Sequence, residues 1–372
     1  MVDPLGVREG RAGALRSETE PLADGREITY YWPDAEERQA LARAPEPAIL
    51  VTGAAGYVAG PVVSRLLRAG HAVVALDNLS TSTGRTLPSA VHLVRASVGD
   101  APALRHILRR WQIQAVFHFA ADSRVGESMT QPLQYFRHNV REGLTLLEEV
   151  VAAGAPPLIF SSSAAVYGIP QSIPVAETAP LAPINPYGET KAAFERILHW
   201  TGQAHGLRWA ALRYFNAAGA DGAWEPKVPE THLIPRVLAA AADGPELEIF
   251  GRDYDTPDGT AIRDYIHVAD LAEGHLAALA HLLAGGPGGV FNLGTGQGFS
   301  VADVVAMAEV VTGRTVRRRW APRRAGDPPA LVADPARARR ELGWAARVSS
   351  LERIVGDAWQ ALEAAGAGAA AR

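Results

Sequence analysis

The chain has no cysteine, which excludes disulfides, thiolate zinc sites and a cysteine nucleophile, and suits a reducing compartment. It has no basic excess: 36 Lys and Arg stand against 40 Asp and Glu, for a net charge of −4. A nucleic-acid binder would carry a positive footprint, so no nucleic-acid partner is expected. No apolar run reaches the ~18 residues of a membrane helix. The amino terminus, MVDPLGVREGRAGALRSETE, lacks the hydrophobic core of a secretory signal. No membrane partner is expected either, and the cytoplasm is the default location. The histidines, such as His267 and His275 or His199 and His205, are not set with a carboxylate in a ligand pattern, so no metal is expected.

What is there reads as alternating strands and helices. Residues 1–46 are polar, without a sustained period, and only Tyr30-Tyr31-Trp32 offers an anchor. This stretch is an extension, either docked through those aromatics or a dispensable tail behind a misassigned start. From Pro47 onward, short apolar runs at AILVTG (48–53), HAVVALD (71–77), VHLVRA (91–96), AVFHFA (115–120) and LIFSSS (158–163) alternate with helical segments at 61–70, 101–111 and 141–154. Parallel strands need crossover helices, so the pattern predicts an α/β fold: a doubly wound, Rossmann-like parallel sheet over 47–222. After RYFNAAG (213–219) proline and glycine become more frequent, which predicts a smaller α/β substrate lobe over 223–362, with 261–294 a candidate to return in part to the first domain. An Ala/Gly tail over 363–372 is expected to fray.

Gly53, Gly56 and Ala59 stand in the spacing G-x-x-G-x-x-A where a strand meets a helix. Glycine lets backbone N–H groups and a helix N-terminus approach a pyrophosphate, and alanine at the third position still permits close helix-to-sheet packing. Asp77 ends the second strand, about 20 residues on, where a carboxylate binds both ribose hydroxyls and repels a 2′-phosphate. NAD is therefore the expected cofactor. Arg85 lies nearby in sequence and is taken to face solvent. In NPYGETKAAFERIL (185–198), Tyr187 and Lys191 lie four apart, one above the other on a helix face. A phenol with a pKa near 10 is a poor base at neutrality. A neighbouring ammonium and a positively charged nicotinamide are expected to lower it. The serines of LIFSSSAAVYG (158–168) offer a hydroxyl for proton relay.

These residues, with HFAADSRVGES (118–128), LRYFNAAGA (212–220), RDYIHVADLA (263–272), FNLGTG (291–296) and APRRAGD (321–327), resemble the extended short-chain dehydrogenase/reductases. Within them the chain is similar to the UDP-glucose (UDP-galactose) 4-epimerases, from about Ala48 to Trp359. The resemblance implies that Tyr187 takes the 4-hydroxyl proton of a UDP-sugar, that Lys191 tunes it and that Ser163 relays or hydrogen-bonds. It implies transient oxidation at C4 by NAD, turning of the 4-keto sugar about its diphosphate link, and return of the hydride to the other face. Cofactor contacts carried over are Gly53, Gly56, Tyr57, Val58, Asp77, Asn78, Phe119, Ala120, Asn139, Tyr187, Lys191, which holds the nicotinamide ribose, and Tyr214. Substrate contacts are Ser163, Tyr187, Asn216, His232, Leu233, Phe250, Arg263, Arg324 and Asp327, with Leu331 beside the C2 substituent of the sugar. Many relatives pair as homodimers through a helix bundle, to which 141–154 is a candidate contributor.

The chain also departs from that pattern. Ser97 stands where many relatives have an acid that holds adenine, Ser123 where many have a lysine (with Arg124 beside it), and Ala59 replaces a glycine. A 4,6-dehydratase or decarboxylase would need a further acid or base where Ala164-Ala165 stands. Epimerases of UDP-pentoses, uronates or N-acetylhexosamines, and a non-catalytic dinucleotide sensor, remain as alternatives.

Overall fold

The computed structural model describes residues 16–22, 24–32, 47–81, 87–221, 231–324 and 327–370; Arg85 lies outside them. Five strands follow the apolar runs, β3 (Pro47–Thr52), β4 (Ala72–Asp77), β5 (His92–Arg95), β6 (Gln112–His118) and β7 (Leu158–Ser163), and β8 (Trp209–Tyr214) adds a sixth. With β13 (Gly289–Leu293) they form a parallel sheet in the order β5-β4-β3-β6-β7-β8-β13. The chain runs outward in one direction from β3 to β5, then restarts at β6 on the other side. The reversal leaves a crevice at the carboxyl ends of β3 and β6, the usual ligand position in such sheets.

Each face of the sheet is covered. Ile49, Val51 and Phe117 point to one layer, with helices Ala59–Arg68 and Val268–Leu283; Leu50, Val116 and Phe160 point to the other, with helices Ala101–Arg110, Glu142–Ala152 and Pro186–His205. The strands are apolar almost throughout because both faces are buried.

The amino-terminal extension adds two more strands. β1 (Arg16–Pro21) and β2 (Glu27–Trp32) form an antiparallel hairpin, and β2 pairs with β5 through Tyr30↔Val94 and Tyr31↔Leu93. Leu22 and Ile28 are buried with Val94, Val98, Leu104 and Ile107. Backbone pairing thus holds Tyr30 and Tyr31; the side chains of the Tyr-Tyr-Trp run lie outside the described residues. The Asp24-Gly25 turn, with Gly25 at φ 82°, is a hairpin signal that the polar composition concealed.

A second layer of structure covers the carboxyl ends of the strands. Helix Leu233–Ala241, β10 (Leu247–Phe250), helix Val301–Thr312 and helix Leu351–Ala370 share their own apolar core, and the largely exposed β15 (Arg318–Ala321) pairs with β10. Short strands β9 (Asn216–Ala218), β11 (Ile262–Arg263), β12 (Tyr265–His267), β14 (Phe299–Ser300) and β16 (Ala330–Leu331) tie it to the sheet's edge. The final helix continues to Ala370, through the stretch expected to fray, in keeping with alanine's helix propensity. None of the described helices is long and apolar enough to cross a membrane.

Candidate active site

A cleft of about 700 Å³ opens along the carboxyl ends of β3 to β8, between the sheet and the covering layer. Its floor begins at Gly53, whose φ of 68° is open to glycine at little cost. A Cβ there would stand 2.5 Å from the Ala120 nitrogen, because the turn after β3 presses against the exit of β6. Gly56 N–H donates to the Gly53 carbonyl at 3.0 Å, and Ala59 starts the following helix, fully buried. Both oxygens of Asp77 accept backbone N–H groups, from Leu79 at 2.8 Å and Ala55 at 3.0 Å. Burial raises its pKa, against these two hydrogen bonds. Each carboxylate oxygen keeps a lone pair for a ligand hydroxyl. Asn78, Tyr57, Val58, Phe119 and Ala120 line the same end, and the Tyr57 hydroxyl donates to the Gly219 carbonyl. The tight glycine turn and the ribose-compatible carboxylate fit a dinucleotide.

The other end holds the proton chemistry. Asn185 caps the Tyr187 helix by accepting from Gly188 N–H at 2.8 Å, and Pro186 fills its first turn. Gly188 lets that helix dock: a Cβ there would lie 2.5 Å from the Ala165 carbonyl oxygen. Tyr187 and Ser163 line the same part of the cleft, and Ser163 acts to lower the phenol's pKa. The Lys191 ammonium donates to the Ser161 carbonyl at 2.8 Å and lies 5.8 Å from the Tyr187 ring centre. Alternation along β7 turns Ser162 away from the cleft, onto Glu195, which is paired with Arg213 in the buried layer. Tyr214 lies beside Ser163 in register and donates to His275 Nε2 at 2.6 Å, since His275 Nδ1–H is given to the Leu271 carbonyl.

Burial dominates the electrostatics of the pair. It holds the Tyr187 phenol above its ordinary value, against the effect of Ser163. Burial also pushes the Lys191 ammonium down to about 7, against the attraction of Glu195. The ammonium is turned toward the Ser161 carbonyl. The lowering expected of the phenol draws on a nicotinamide charge as well as on this ammonium.

The substrate end gathers Asn216, His232, Arg263, Asp327 and Leu331 on the wall. Arg263 faces Asp327 at 3.4 Å and pairs in register with Leu331. Arg124, beside Ser123, lines the cleft and pairs with Glu127. Four expected contacts lie off the wall. Asn139 is buried behind it, engaged by Asp122 and Thr190. Leu233 packs into the core of the covering layer, and Arg324 stacks on Phe250 at 3.8 Å from the ring centre. Gly188, Glu195, His275 and Glu142 were not foreseen. Only the first left a local signal, a glycine in the first turn of a helix.

Comparison with known proteins places this arrangement. The chain is 48% identical to the UDP-glucose 4-epimerase of Azospirillum brasilense over 84% of its length and 91% of that protein. The crystal structure of UDP-glucose 4-epimerase from Brucella ovis in complex with NAD superposes with a TM-score of 0.82 at 43% identity, covering 85% of this chain and 98% of the other. The enzyme from Bifidobacterium longum in complex with NAD+ and UDP gives 0.79 at 34% identity, over 86% and 99%. A family model covers residues 49–294, the span that carries the glycine turn, Asp77, Ser163 and the Tyr187 helix, and the chain belongs to the NAD dependent epimerase/dehydratase family.

Proposed function

We propose that the protein is a cytoplasmic UDP-glucose/UDP-galactose 4-epimerase. The observation that carries the reading is the meeting of Tyr187, Ser163 and Lys191 in one cleft with the Gly53 turn and Asp77. NAD, when bound, supplies a hydride acceptor at C4 that later gives the hydride back, and a positive ring charge beside the phenol. Tyr187 takes the proton of the 4-hydroxyl and returns it, with Ser163 fixing the phenol's direction. Lys191, as an ammonium held by the Ser161 carbonyl, steadies the phenolate and the nicotinamide ribose. Arg263 offers a fork of donors for the UDP diphosphate, and Asn216, His232 and Asp327 border the sugar. Leu233, Phe250 and Arg324 would reach the uridine end through a small shift of the covering layer. Asn139 acts from behind, by holding Asp122.

The test is incubation with UDP-glucose or UDP-galactose without added NAD, together with assay of the nucleotide released on denaturation. The expected result is a 4-epimer and one co-purified NAD. Tyr187→Phe should lose at least ~10²-fold in turnover with UDP binding little changed. Near-normal turnover in that variant removes the proton mechanism.

We also place a second copy of the chain against Met129, Leu133, Phe136 and Leu144. These apolar residues are exposed on three consecutive helices, Val125–Thr130, Pro132–Phe136 and Glu142–Ala152, a patch suited to pairing with itself. Wild type should sediment as a dimer and Leu133→Glu as a monomer; a monomeric wild type overturns this interface.

A further inference from the structure

Glu142 lies far in sequence from the glycine turn, yet its side chain reaches the cleft at the end marked by Asp77. This inference rests on reading that end as the adenosine half of an NAD site. Asp77 closes β4, and the next strand outward is β5, with Asp77 opposite Arg95. A base carried by a ribose on Asp77 therefore meets the exit of β5, Ala96-Ser97-Val98, which lines the cleft. The only side-chain hydroxyl on that exit is already committed. Ser97 donates to Glu142 Oε2 at 2.5 Å and accepts from Gly99 N–H at 3.1 Å. A hydroxyl has one proton to give, so Ser97 has none left for a ligand. Glu142 Oε1 takes no hydrogen bond among the described residues. Gly99 makes room for the carboxylate, since a Cβ there would lie 2.8 Å from Glu142 Cγ. What this wall offers a base is thus a charged acceptor, steadied by a hydroxyl and set beside buried Val98.

Among the nucleobase edges, the exocyclic 6-amino group of adenine presents donors to such an acceptor, and a 6-oxo group presents lone pairs against it. We propose that Glu142, held by Ser97, is the acceptor for the adenine 6-amino group and sets the base specificity of the cofactor site. The pair supplies from a helix the negative charge that Ser97 itself cannot.

The experiment equilibrates full-length protein, cleared of nucleotide, with equal amounts of NAD and nicotinamide hypoxanthine dinucleotide. The bound nucleotides are then released and quantified. Wild type should favour NAD by about 10- to 100-fold, the scale of leaving a charged partner unpaired. Glu142→Gln, which keeps the shape and adds a donor, should bring the ratio to one or below. Ser97→Asp placed in Glu142→Ala should restore the preference for NAD, which a merely structural tie would not do. An unchanged ratio in Glu142→Gln, or no preference in wild type, overturns the proposal while leaving NAD binding in place. A wild type that takes up neither dinucleotide overturns the reading of the cleft as an NAD site, and this proposal with it.

Discussion

On the proposed substrate reading, Leu331 is the side chain placed to set which sugar the cleft admits. It ends β16 beside Arg263, is about nine-tenths buried, and packs with Ala164, Val166 and Phe215 on the wall. Its branched end partly fills the space an acetamido group would need and offers that group no hydrogen bond. A misfit of one methylene costs about 1–3 kcal/mol in discrimination. Leu331→Gly should therefore raise kcat/KM for UDP-N-acetylglucosamine relative to UDP-glucose by roughly 10-fold or more. A wild type that already prefers the N-acetyl sugar, or an unchanged ratio in the variant, would show that Leu331 is not the gate. Residues of this kind were legible in sequence where their chemistry depends on spacing within one element. Tyr187 and Lys191 share a helix face, and Gly53 and Gly56 share a turn. Glu142, which lines the cleft, and His275, which holds Tyr214 from behind it, were not legible, because they lie on helices whose placement depends on the order of strands rather than on any local period. Nor could spacing show which way Lys191 turns, and hence that burial would dominate both its charge and that of Tyr187.

At the scale of elements, the hairpin of β1 and β2 departs furthest from the sequence reading. It covers the outer edge of β5, which would otherwise expose unpaired N–H and C=O groups. Its docking is more than edge pairing. Ile28 and Leu22 enter the same core as Leu104 and Ile107 of helix Ala101–Arg110. Arg26 forks onto Asp100, the residue that caps that helix, and Glu20 meets His106 on it. Ile28→Ala should therefore cost about 2–5 kcal/mol in a urea denaturation midpoint, the range for truncating a buried isoleucine. A loss below about 0.5 kcal/mol, typical of surface changes, would return residues 16–32 to the status of a dispensable tail. The parallel strands were legible because burial on both faces makes them continuous apolar runs. The hairpin was not, because one of its faces meets solvent and its Asp-Gly turn sits in a polar stretch that looks like linker.

Among the described residues three imidazoles are buried, His118 and His275 in the two layers beside the sheet and His267 at the end of β12, and they set the response to acid. His118 faces Phe160 and Phe194 and shares a hydrogen bond between Nδ1 and the Thr52 hydroxyl at 2.8 Å. Burial, with Lys191 as a second cause, pushes its pKa down to about 3. His275 lies across the sheet against Phe117 and Phe119, and burial brings it to about 4, against its bond to the Leu271 carbonyl. In the unfolded chain both regain a value near 6.5. Below that pH the unfolded chain binds protons at these two positions that the folded protein refuses, and His267, also held down by burial, adds in the same direction, so stability falls as pH falls from about 6.5 toward 4. Each proton contributes a slope approaching about 1.4 kcal/mol per pH unit. The interval from about pH 6.5 to 5 lies above the ordinary carboxylate values; Asp77 and Asp264, raised by burial, act against the imidazoles there, so the histidine share is read from the replacements. Urea denaturation of the nucleotide-free protein across that interval should show stability dropping with acid. His275→Phe, which keeps an aromatic against Phe119, should lower stability at neutral pH, because the Tyr214 hydroxyl loses its acceptor, yet make the acid slope shallower by about one proton. His118→Phe should do the same from the opposite layer, and the two reductions should add, since the sheet separates them. A slope unaltered by either replacement would mean that the histidines are protonated in the folded state and that acid acts on the molecule through other groups.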